Sequence, residues 1–250
     1  MKHSLKHKLS AGEVCIGGWL GTGSVMIAEA VASCGFDWVA IDMEHGTASV
    51  DHAAGIFAAL QNQGAGSLVR LPSADPYLAR RLLDTGADGL IVPVVESAES
   101  FQDFSQHCLY PPAGKRGVGL SRCNLWGDQF EDYFKNFSPV LIPQIETVKG
   151  ANNAVSIAAL EEVDGLFIGP YDLSADYGIP GKLTDDRLKT SIAKVKDACA
   201  ANGKAFGGHQ VPPDMAALQS MIDEGFRLIA YSTDTIAMRH VFSEIRNLQK

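Results

Sequence analysis

The strict alternation of short apolar runs with helix-forming segments is the feature that most restricts the possible fold. The runs are Cys15–Leu20, Trp38–Ile41, Ser67–Leu71, Gly89–Val95, Val140–Ile145, Gly165–Ile168, Lys204–Gly208 and Arg227–Tyr231. Apolar runs of this length that alternate with helices are typical of buried parallel strands. Eight such units in 250 residues predict an α/β chain that forms one (β/α)8 barrel domain over residues 1–250.

A doubly wound open sheet is the competing α/β fold, but a chain of this length with that fold usually contains fewer strand–helix units than the eight predicted. Its dinucleotide-binding fingerprint is also missing, because Met26 stands at the third glycine position after Gly21 and Gly23. We interpret these two glycines as residues that permit a tight turn between the first strand and its helix.

One connection is too long to be a simple loop. Residues 110–139 precede the fifth strand and carry the aromatic residues Trp126, Phe130, Tyr133, Phe134 and Phe137. Long ordered loops usually have a function, and exposed aromatic side chains are usually covered. A helix-to-strand connection lies at the end of a barrel opposite its catalytic rim. We therefore expect this segment to form an interface.

Composition and charge restrict the partners and the compartment. The net charge is −8 and the basic residues are scattered, which argues against nucleic acid as a partner. The five cysteines include no CxxC pair, which is typical of reduced thiols rather than of disulfides or a zinc knuckle. The N-terminal segment lacks the apolar core of a signal peptide, and no apolar run is long enough to cross a membrane. These features predict a cytoplasmic protein without membrane contact.

Polar residues follow most of the predicted strands at the point where each strand ends. In a parallel barrel these ends meet at one rim, which is where such barrels perform chemistry. The rim set comprises Trp19, Asp42, Glu44, His45, Arg70, Gln144, Glu146, Asp172, His209, Ser232, Thr233 and Asp234. Any one of these residues alone is best explained as a loop residue or a salt-bridge partner. Their convergence on one rim favours an active site.

The residue types at the rim suggest a reaction. Glu146 and Asp172 follow neighbouring strands, and paired carboxylates with open positions suit a hard cation such as Mg²⁺ or Mn²⁺. Such an ion polarises the keto group of a 2-oxo acid and stabilises an enolate. Arg70 can share the developing oxyanion charge, and His45 can move a proton at neutral pH. Asp84, late in the helix after strand three, would orient His45 if the fold brings the two together.

This combination suits cleavage of a carbon–carbon bond next to a 2-oxo acid. Backbone N–H groups after the Gly169-Pro170 turn can receive the substrate carboxylate. An alternative Schiff-base route needs a lysine inside the barrel. Lys149 lies beyond strand five and Lys204 begins strand seven at the wrong face, so the sequence favours the metal-dependent route.

Seven segments at these positions carry a family resemblance. They are GGWLGTGS at Gly17–Ser24, FDWVAIDMEHG at Phe36–Gly46, LVRLP at Leu68–Pro72, YPPAGKRGVG at Tyr110–Gly119, PQIET at Pro143–Thr147, IGPYDLS at Ile168–Ser174 and STDT at Ser232–Thr235. Together they resemble the HpcH/HpaI aldolases, which are metal-dependent pyruvate aldolases of the 4-hydroxy-2-oxoheptanedioate and 2-dehydro-3-deoxyglucarate type with a (β/α)8 barrel.

The resemblance implies a role for most rim residues. Glu146 and Asp172 look like ligands of Mg²⁺, Mn²⁺ or Co²⁺, and Arg70 looks like the enolate-stabilising arginine. His45 looks like the acid/base residue, oriented by Asp84. Asp42 and Glu44 are expected to support the metal site by contacting its ligands or its bound water rather than the ion itself. The substrate contacts that the resemblance implies are Gln144, Tyr171 and Asp172, with the backbone around Tyr171 and Asp172 holding the pyruvate carboxylate. Trp19 and His209 are expected substrate contacts because of their places at the strand ends rather than because of the resemblance.

The resemblance also implies a hexamer with exchanged C-terminal helices and a neighbour contribution from the Arg116–Gly119 loop. His209 matches no family motif and stands where aldehyde specificity could be set. The leading hypothesis is an aldolase that splits a 4-hydroxy-2-oxo acid into pyruvate and an aldehyde. The alternatives are a CoA-thioester lyase, an oxaloacetate decarboxylase or a non-catalytic binding barrel.

Overall fold

The computed structural model describes residues 4–248 and contains a closed barrel of eight parallel strands in sequential order. The strands are β1 (Cys15–Leu20), β2 (Trp38–Asp42), β3 (Gly66–Arg70), β4 (Gly89–Val92), β5 (Val140–Ile145), β6 (Gly165–Ile168), β7 (Ala205–Gln210) and β8 (Leu228–Tyr231). β1 pairs with both β2 and β8, which closes the barrel. The predicted (β/α)8 fold is confirmed.

Helices connect the strands and cover the outside of the barrel. They are α1 (Leu5–Ser10), α2 (Val25–Ala32), α3 (Val50–Gln63), α4 (Pro76–Thr85), α5 (Ala98–Ser105), α6 (Phe130–Asn136), α7 (Val148–Asn152), α8 (Ala154–Ala158), α9 (Pro170–Asp176), α10 (Asp186–Ala201), α11 (Met215–Asp223) and α12 (Asp234–Ser243). The side chains of Ser24, Asp75 and Ser97 cap α2, α4 and α5, because each accepts a backbone N–H of the helix that follows. None of the helices within residues 4–248 is both long and apolar enough to cross a membrane.

The apolar core has two layers. One layer lies between the strands and the surrounding helices, and the other fills the barrel interior. Trp38 is fully buried in the interior layer. A Cβ atom on Gly17 of β1 would lie 2.1 Å from Cε2 of Trp38, so only glycine leaves room for this indole.

Helix α1 covers the N-terminal end of the barrel and was not predicted. Its Leu5 and Leu9 pack with the interior layer. Lys6 donates to the carbonyl oxygen of Pro139 at 3.0 Å and to Asp164 at 2.8 Å, at the starts of β5 and β6. The basic composition of this segment hid its two buried leucines.

Several element ends differ from the sequence prediction. β4 ends at Val92 rather than Val95, because the φ of +52° at Val94 is incompatible with the extended backbone of a strand. β7 runs from Ala205 to Gln210 rather than from Lys204 to Gly208. The last helix, α12, is followed by a 3-10 helix at Glu244–Asn247.

The long connection at residues 110–139 is ordered and packed against the barrel. It contains a 3-10 helix (Arg122–Gly127) and α6. The Arg116 side chain has no exposed surface, donates to Asp84 at 2.6 Å, and lies 4.6 Å from the ring centroid of Tyr110. Trp126 remains 69% exposed, and the interface predicted for this segment stays a prediction.

Candidate active site

Arg70 is held by two carboxylates at the carboxyl ends of β2 and β3. Asp42 and Arg70 are register partners, and Arg70 donates to Asp42 from Nε at 3.0 Å and from Nη2 at 2.6 Å. Its Nη1 lies 3.2 Å from Oε2 of Glu44. Burial alone would raise the pKa of Asp42, but the hydrogen bonds and the charge of Arg70 outweigh it and hold that pKa below its ordinary value. This two-point attachment fixes the plane of the guanidinium.

Glu146 follows β5 and is held by one backbone group and one side chain. Its Oε1 accepts the N–H of Val94 at 2.6 Å, and its Oε2 accepts a hydrogen bond from Nε2 of Gln144. A Cβ atom on Gly169 would lie 2.8 Å from Oε2 of Glu146, so glycine at this position keeps the space open. Glu146 is only 5% exposed, and burial raises the pKa of its carboxyl group.

Three acidic side chains converge at this end of the barrel. Burial raises the pKa of Glu44, and the charge of Asp172 adds to the rise at both Glu44 and Glu146. Asp172 lies in the first turn of α9, directly after β6. Close negative charges of this kind favour either protonation or a cation among them.

The residues present fit a hard divalent cation. Glu146 and Asp172 supply two carboxylates, and the buried Oε1 of Gln144 has no hydrogen-bond partner in the structure. Within residues 4–248 no group of three or more His, Cys, Asp or Glu side chains is arranged to hold a metal. The protein would therefore supply few ligands and leave positions for substrate and water, which is typical of catalytic rather than structural sites.

His45 and Asp84 do not meet within one chain. The His45 side chain is 67% exposed at the rim, and its Nε2 lies 3.9 Å from Oε2 of Glu44. Asp84 lies in the last turn of α4, which places it at the opposite end of the barrel, where it pairs with Arg116. The fold of one chain therefore does not bring these two residues together, and the orientation of His45 by Asp84 stays a prediction.

The remaining predicted contacts lie at different depths. Trp19 is 2% exposed and donates from Nε1 to Oδ2 of Asp42 at 3.2 Å. Tyr171 is 60% exposed in the first turn of α9. Nε2 of His209 lies 3.0 Å from the carbonyl oxygen of Ser232, and burial lowers the pKa of His209 to about 4. Asp234 accepts the N–H groups of Gly21 and Thr22, which ties the loop after β1 to α12.

Val94 is a contributor to the site that the sequence did not indicate. Its N–H binds Glu146, and its left-handed backbone is a rare conformation for a β-branched residue. No sequence signal marks this residue, because valine is ordinary in a strand and is unexpected only at positive φ.

The two lysines considered for a Schiff base do not enter the barrel. Lys149 pairs with Glu96 at 3.0 Å on the surface, and Lys204 donates to the carbonyl oxygen of Val163 at 2.6 Å.

A cavity of about 680 Å³ lies at the N-terminal end of the barrel, away from the rim. Two of its charged lining residues, Lys8 and Asp37, pair with each other at 2.5 Å.

Known proteins of one family resemble this chain over nearly its whole length. The model of the HpcH/HpaI aldolase/citrate lyase family matches residues 16–241. A hydroxypyruvate/pyruvate aldolase of Roseobacter denitrificans is 34% identical over 94% of this chain and 92% of its own. A 4-hydroxy-2-oxo-heptane-1,7-dioate aldolase of Salmonella arizonae is 36% identical over 94% and 90%. The crystal structure of an HpcH/HpaI aldolase/citrate lyase family protein from Burkholderia cenocepacia superposes with a TM-score of 0.91 at 32% identity, covering 99% of each chain. The chain therefore belongs to the HpcH/HpaI aldolase/citrate lyase family and is a carbon–carbon lyase of the aldolase type.

Proposed function

We propose that this protein is a divalent-metal-dependent aldolase that cleaves 4-hydroxy-2-oxo acids reversibly into pyruvate and an aldehyde. The observation that carries the proposal is the juxtaposition of a clamped arginine with three acidic side chains, of which Glu146 is buried, Glu44 half-buried and Asp172 exposed. Arg70 is bound at two points by Asp42, and Glu44 links it to the cluster that contains Glu146 and Asp172. A fixed cation beside carboxylates that suit a metal is an arrangement for stabilising an enolate.

In this proposal Glu146 and Asp172 hold Mg²⁺, Mn²⁺ or Co²⁺. The ion supplies Lewis-acid polarisation of the substrate keto group. Gln144 contacts the keto acid through Nε2, which has a second hydrogen besides the one that it donates to Glu146. The N–H groups of Tyr171 and Asp172 have no intrahelical acceptor in the first turn of α9, so they are available to the substrate carboxylate.

Arg70 shares the negative charge that develops on the substrate oxygen when the carbon–carbon bond breaks. Asp42 keeps the guanidinium in place and Glu44 supports it from the metal side. His45, exposed at the rim, takes the proton of the substrate 4-hydroxyl group and returns one to the enolate carbon. Direct contact of Trp19 and His209 with substrate remains a prediction.

We propose that the protein acts as a homo-oligomer, with a hexamer as the expectation. Asp84 can reach His45 only from a second chain, because the two lie at opposite ends of one barrel. The last helical segment also exposes apolar side chains: Phe242 is 69% and Ile245 60% exposed. A cover for this face by a second copy fits the expected exchange of C-terminal helices. A cytoplasmic location stays a prediction from the sequence.

Two neighbouring activities use similar chemistry. Oxaloacetate decarboxylation gives the same pyruvate enolate and is expected as a side activity. A CoA-thioester lyase would be expected to carry extra basic residues for the nucleotide, and the basic residues of this sequence are scattered rather than clustered. The aldolase is therefore preferred.

The test uses the full-length protein stripped of metal with EDTA. It is incubated with 4-hydroxy-2-oxo acids of different tail length, with and without Mn²⁺ or Mg²⁺, and pyruvate is measured by coupling to lactate dehydrogenase. Because one relative is a hydroxypyruvate/pyruvate aldolase, the condensation direction is run with pyruvate and with hydroxypyruvate as donors. Metal-dependent release of pyruvate supports the proposal. Cleavage that survives complete metal removal would contradict it.

A further inference from the structure

The indole of Trp19 is packed between two ionisable side chains at the rim. Its ring centroid lies 5.0 Å from that of His209, with 34° between the planes. The Cζ atom of Arg70 lies 5.0 Å from the Trp19 ring centroid, which is the geometry of a cation–π contact. Since Trp19 is only 2% exposed, the indole links His209 on β7 with Arg70 on β3.

The same indole is tied to the carboxylate that orients Arg70. Nε1 of Trp19 donates to Oδ2 of Asp42 at 3.2 Å, and this oxygen also accepts from Nη2 of Arg70 at 2.6 Å. A rotation of the indole would break the first of these bonds and leave Oδ2 to Arg70 alone, whereas Oδ1 would keep the N–H groups of Glu44 and His45. The orientation of Arg70 therefore depends in part on the position of the Trp19 ring.

His209 is itself held in one tautomer and one orientation. Its Nε2 lies 3.0 Å from the carbonyl oxygen of Ser232, so Nε2 carries the hydrogen of the neutral ring. Ser232 has a φ of +58°, which is uncommon for a residue other than glycine. Burial lowers the pKa of His209 to about 4, so the ring places no second positive charge beside Arg70 at neutral pH.

We propose that His209 is a positioning residue, whose ring supports Trp19 and thereby keeps the guanidinium of Arg70 in the orientation that Asp42 sets. This inference rests on the proposed function, in which Arg70 stabilises an enolate. The competing role is direct contact between His209 and the aldehyde-derived part of the substrate. The two roles differ in the step that needs His209, because enolate formation from pyruvate requires Arg70 but no aldehyde.

The decisive measurement is exchange of the pyruvate methyl protons with D₂O, followed by NMR in the presence of Mg²⁺ and without any aldehyde. His209→Phe keeps an aromatic ring but loses the donor to Ser232. His209→Gln keeps a donor of similar reach but loses the ring. We expect His209→Gln to slow exchange roughly tenfold and His209→Phe to stay within about threefold of wild type. Gln210→Ala is the matched control and keeps the wild-type rate, because Gln210 is next in the same strand and its side chain donates to the carbonyl oxygen of Pro212.

A second readout needs neither metal nor activity. The chain has three tryptophans, so a ¹⁵N-tryptophan spectrum of the metal-free protein shows three indole N–H signals. His209→Gln should shift the Trp19 signal, because the indole loses its neighbour and its bond to Asp42 changes. The Trp126 signal should stay in place, since that side chain is 69% exposed in the distant connection.

Wild-type exchange by His209→Gln, together with a raised KM for the aldehyde alone, would overturn the proposal in favour of direct substrate contact. An unchanged Trp19 signal would overturn it as well. If the wild-type protein with Mg²⁺ exchanged no pyruvate protons, the proposed aldolase function itself would be contradicted. This outcome is distinguishable from a failure of the His209 proposal, because it is seen before any variant is measured.

Discussion

Replacement of Glu146 by glutamine should stabilise the metal-free protein while abolishing its response to metal. Glu146 is buried, burial raises its pKa, and the charges of Glu44 and Asp172 raise it further. Glutamine has nearly the same shape and removes the charge. Its carbonyl oxygen can still accept the N–H of Val94. Its amide nitrogen takes the place of Oε2, so the Gln144 amide must turn over to present Oε1 as the acceptor, and its Nε2 then occupies the place of the unpaired Oε1. The substitution therefore removes a buried charge and leaves the number of unpaired buried groups unchanged.

The expected gain follows from the loss of the buried charge. A rise of one pKa unit corresponds to about 1.4 kcal/mol of lost stability at neutral pH, and the lost charge-assisted hydrogen bonds offset part of the gain. We expect Glu146→Gln to raise the free energy of unfolding by about 1–2 kcal/mol in EDTA. For a chain of this size that corresponds to a rise in Tm of roughly 2–8 °C.

The assay is thermal unfolding followed by circular dichroism, in EDTA and with added Mn²⁺. Wild type should gain about 2.7 kcal/mol at a metal concentration one hundred times Kd, and Glu146→Gln should gain nothing. Glu96→Gln is the matched control, because Glu96 pairs with Lys149 at the surface rather than with the buried cluster. It should keep the metal response without a rise in Tm in EDTA.

The pH dependence has a defined sign. A carboxyl group whose pKa is raised in the folded state contributes its full stability below its ordinary pKa of 4.5 and loses it as the pH rises through the raised value. The advantage of Glu146→Gln should therefore grow from pH 4.5 towards neutral pH. The reasoning is refuted if the variant is less stable than wild type in EDTA at pH 7.5. An undiminished Mn²⁺ response would remove Glu146 from the metal site.

Four other outcomes are expected. Arg70→Ala should lower kcat by about 10²–10³ while the Mn²⁺-induced rise in Tm remains, and wild-type turnover would contradict its role. Val94→Gly keeps the N–H donor but relieves the left-handed backbone, so it should raise the free energy of unfolding by about 1 kcal/mol; a lower Tm would show that no strain is present. Because the pKa of His209 is lowered in the folded protein, its contribution to the free energy of unfolding is present above its ordinary pKa of 6.5 and is lost as the pH falls towards 4, by up to roughly 3 kcal/mol. His209→Phe should remove this part of the pH dependence of unfolding, and a variant whose stability changes with pH in parallel with wild type would argue against this origin. Phe242→Glu should reduce the mass measured by light scattering after size exclusion, whereas an unchanged mass would mean that this apolar face does not hold the oligomer together.

The barrel and its rim were predictable because both follow from local sequence. Each strand is a run of buried residues, and the run stops where a polar side chain must leave the core. Asp42 and Glu146 mark two such ends, and both lie at the rim as predicted. The pairing of Asp42 with Arg70 follows from the order of the strands alone, since neighbours in sequence are neighbours in a (β/α)8 barrel.

Other features depend on contacts between distant parts of the chain and left no local signal. Asp84 is predicted to orient His45, but α4 runs back to the N-terminal end of the barrel. There the Asp84 carboxylate forms a salt bridge with the buried Arg116. Arg116 belongs to a connection whose conformation depends on aromatic packing rather than on periodicity. Helix α1 is too short for its amphipathic pattern to be recognised, with only Leu5 and Leu9 on its buried face.

The distribution of unfavourable features suggests how stability is exchanged for function at the rim. Among residues 4–248, Val94 and Ser232 are two of the four non-glycine residues with positive φ. Each uses its backbone to bind a rim side chain, Glu146 in one case and His209 in the other. Strained backbone of this kind persists only where the surrounding structure determines it, and it costs about 1–3 kcal/mol per residue. The strained backbone and the buried carboxylates of Asp42 and Glu146 together mean that the rim is held in an energetically unfavourable arrangement before any ligand binds. That is the expected property of a preorganised site, because the cost of aligning the charged groups is met during folding rather than during the reaction.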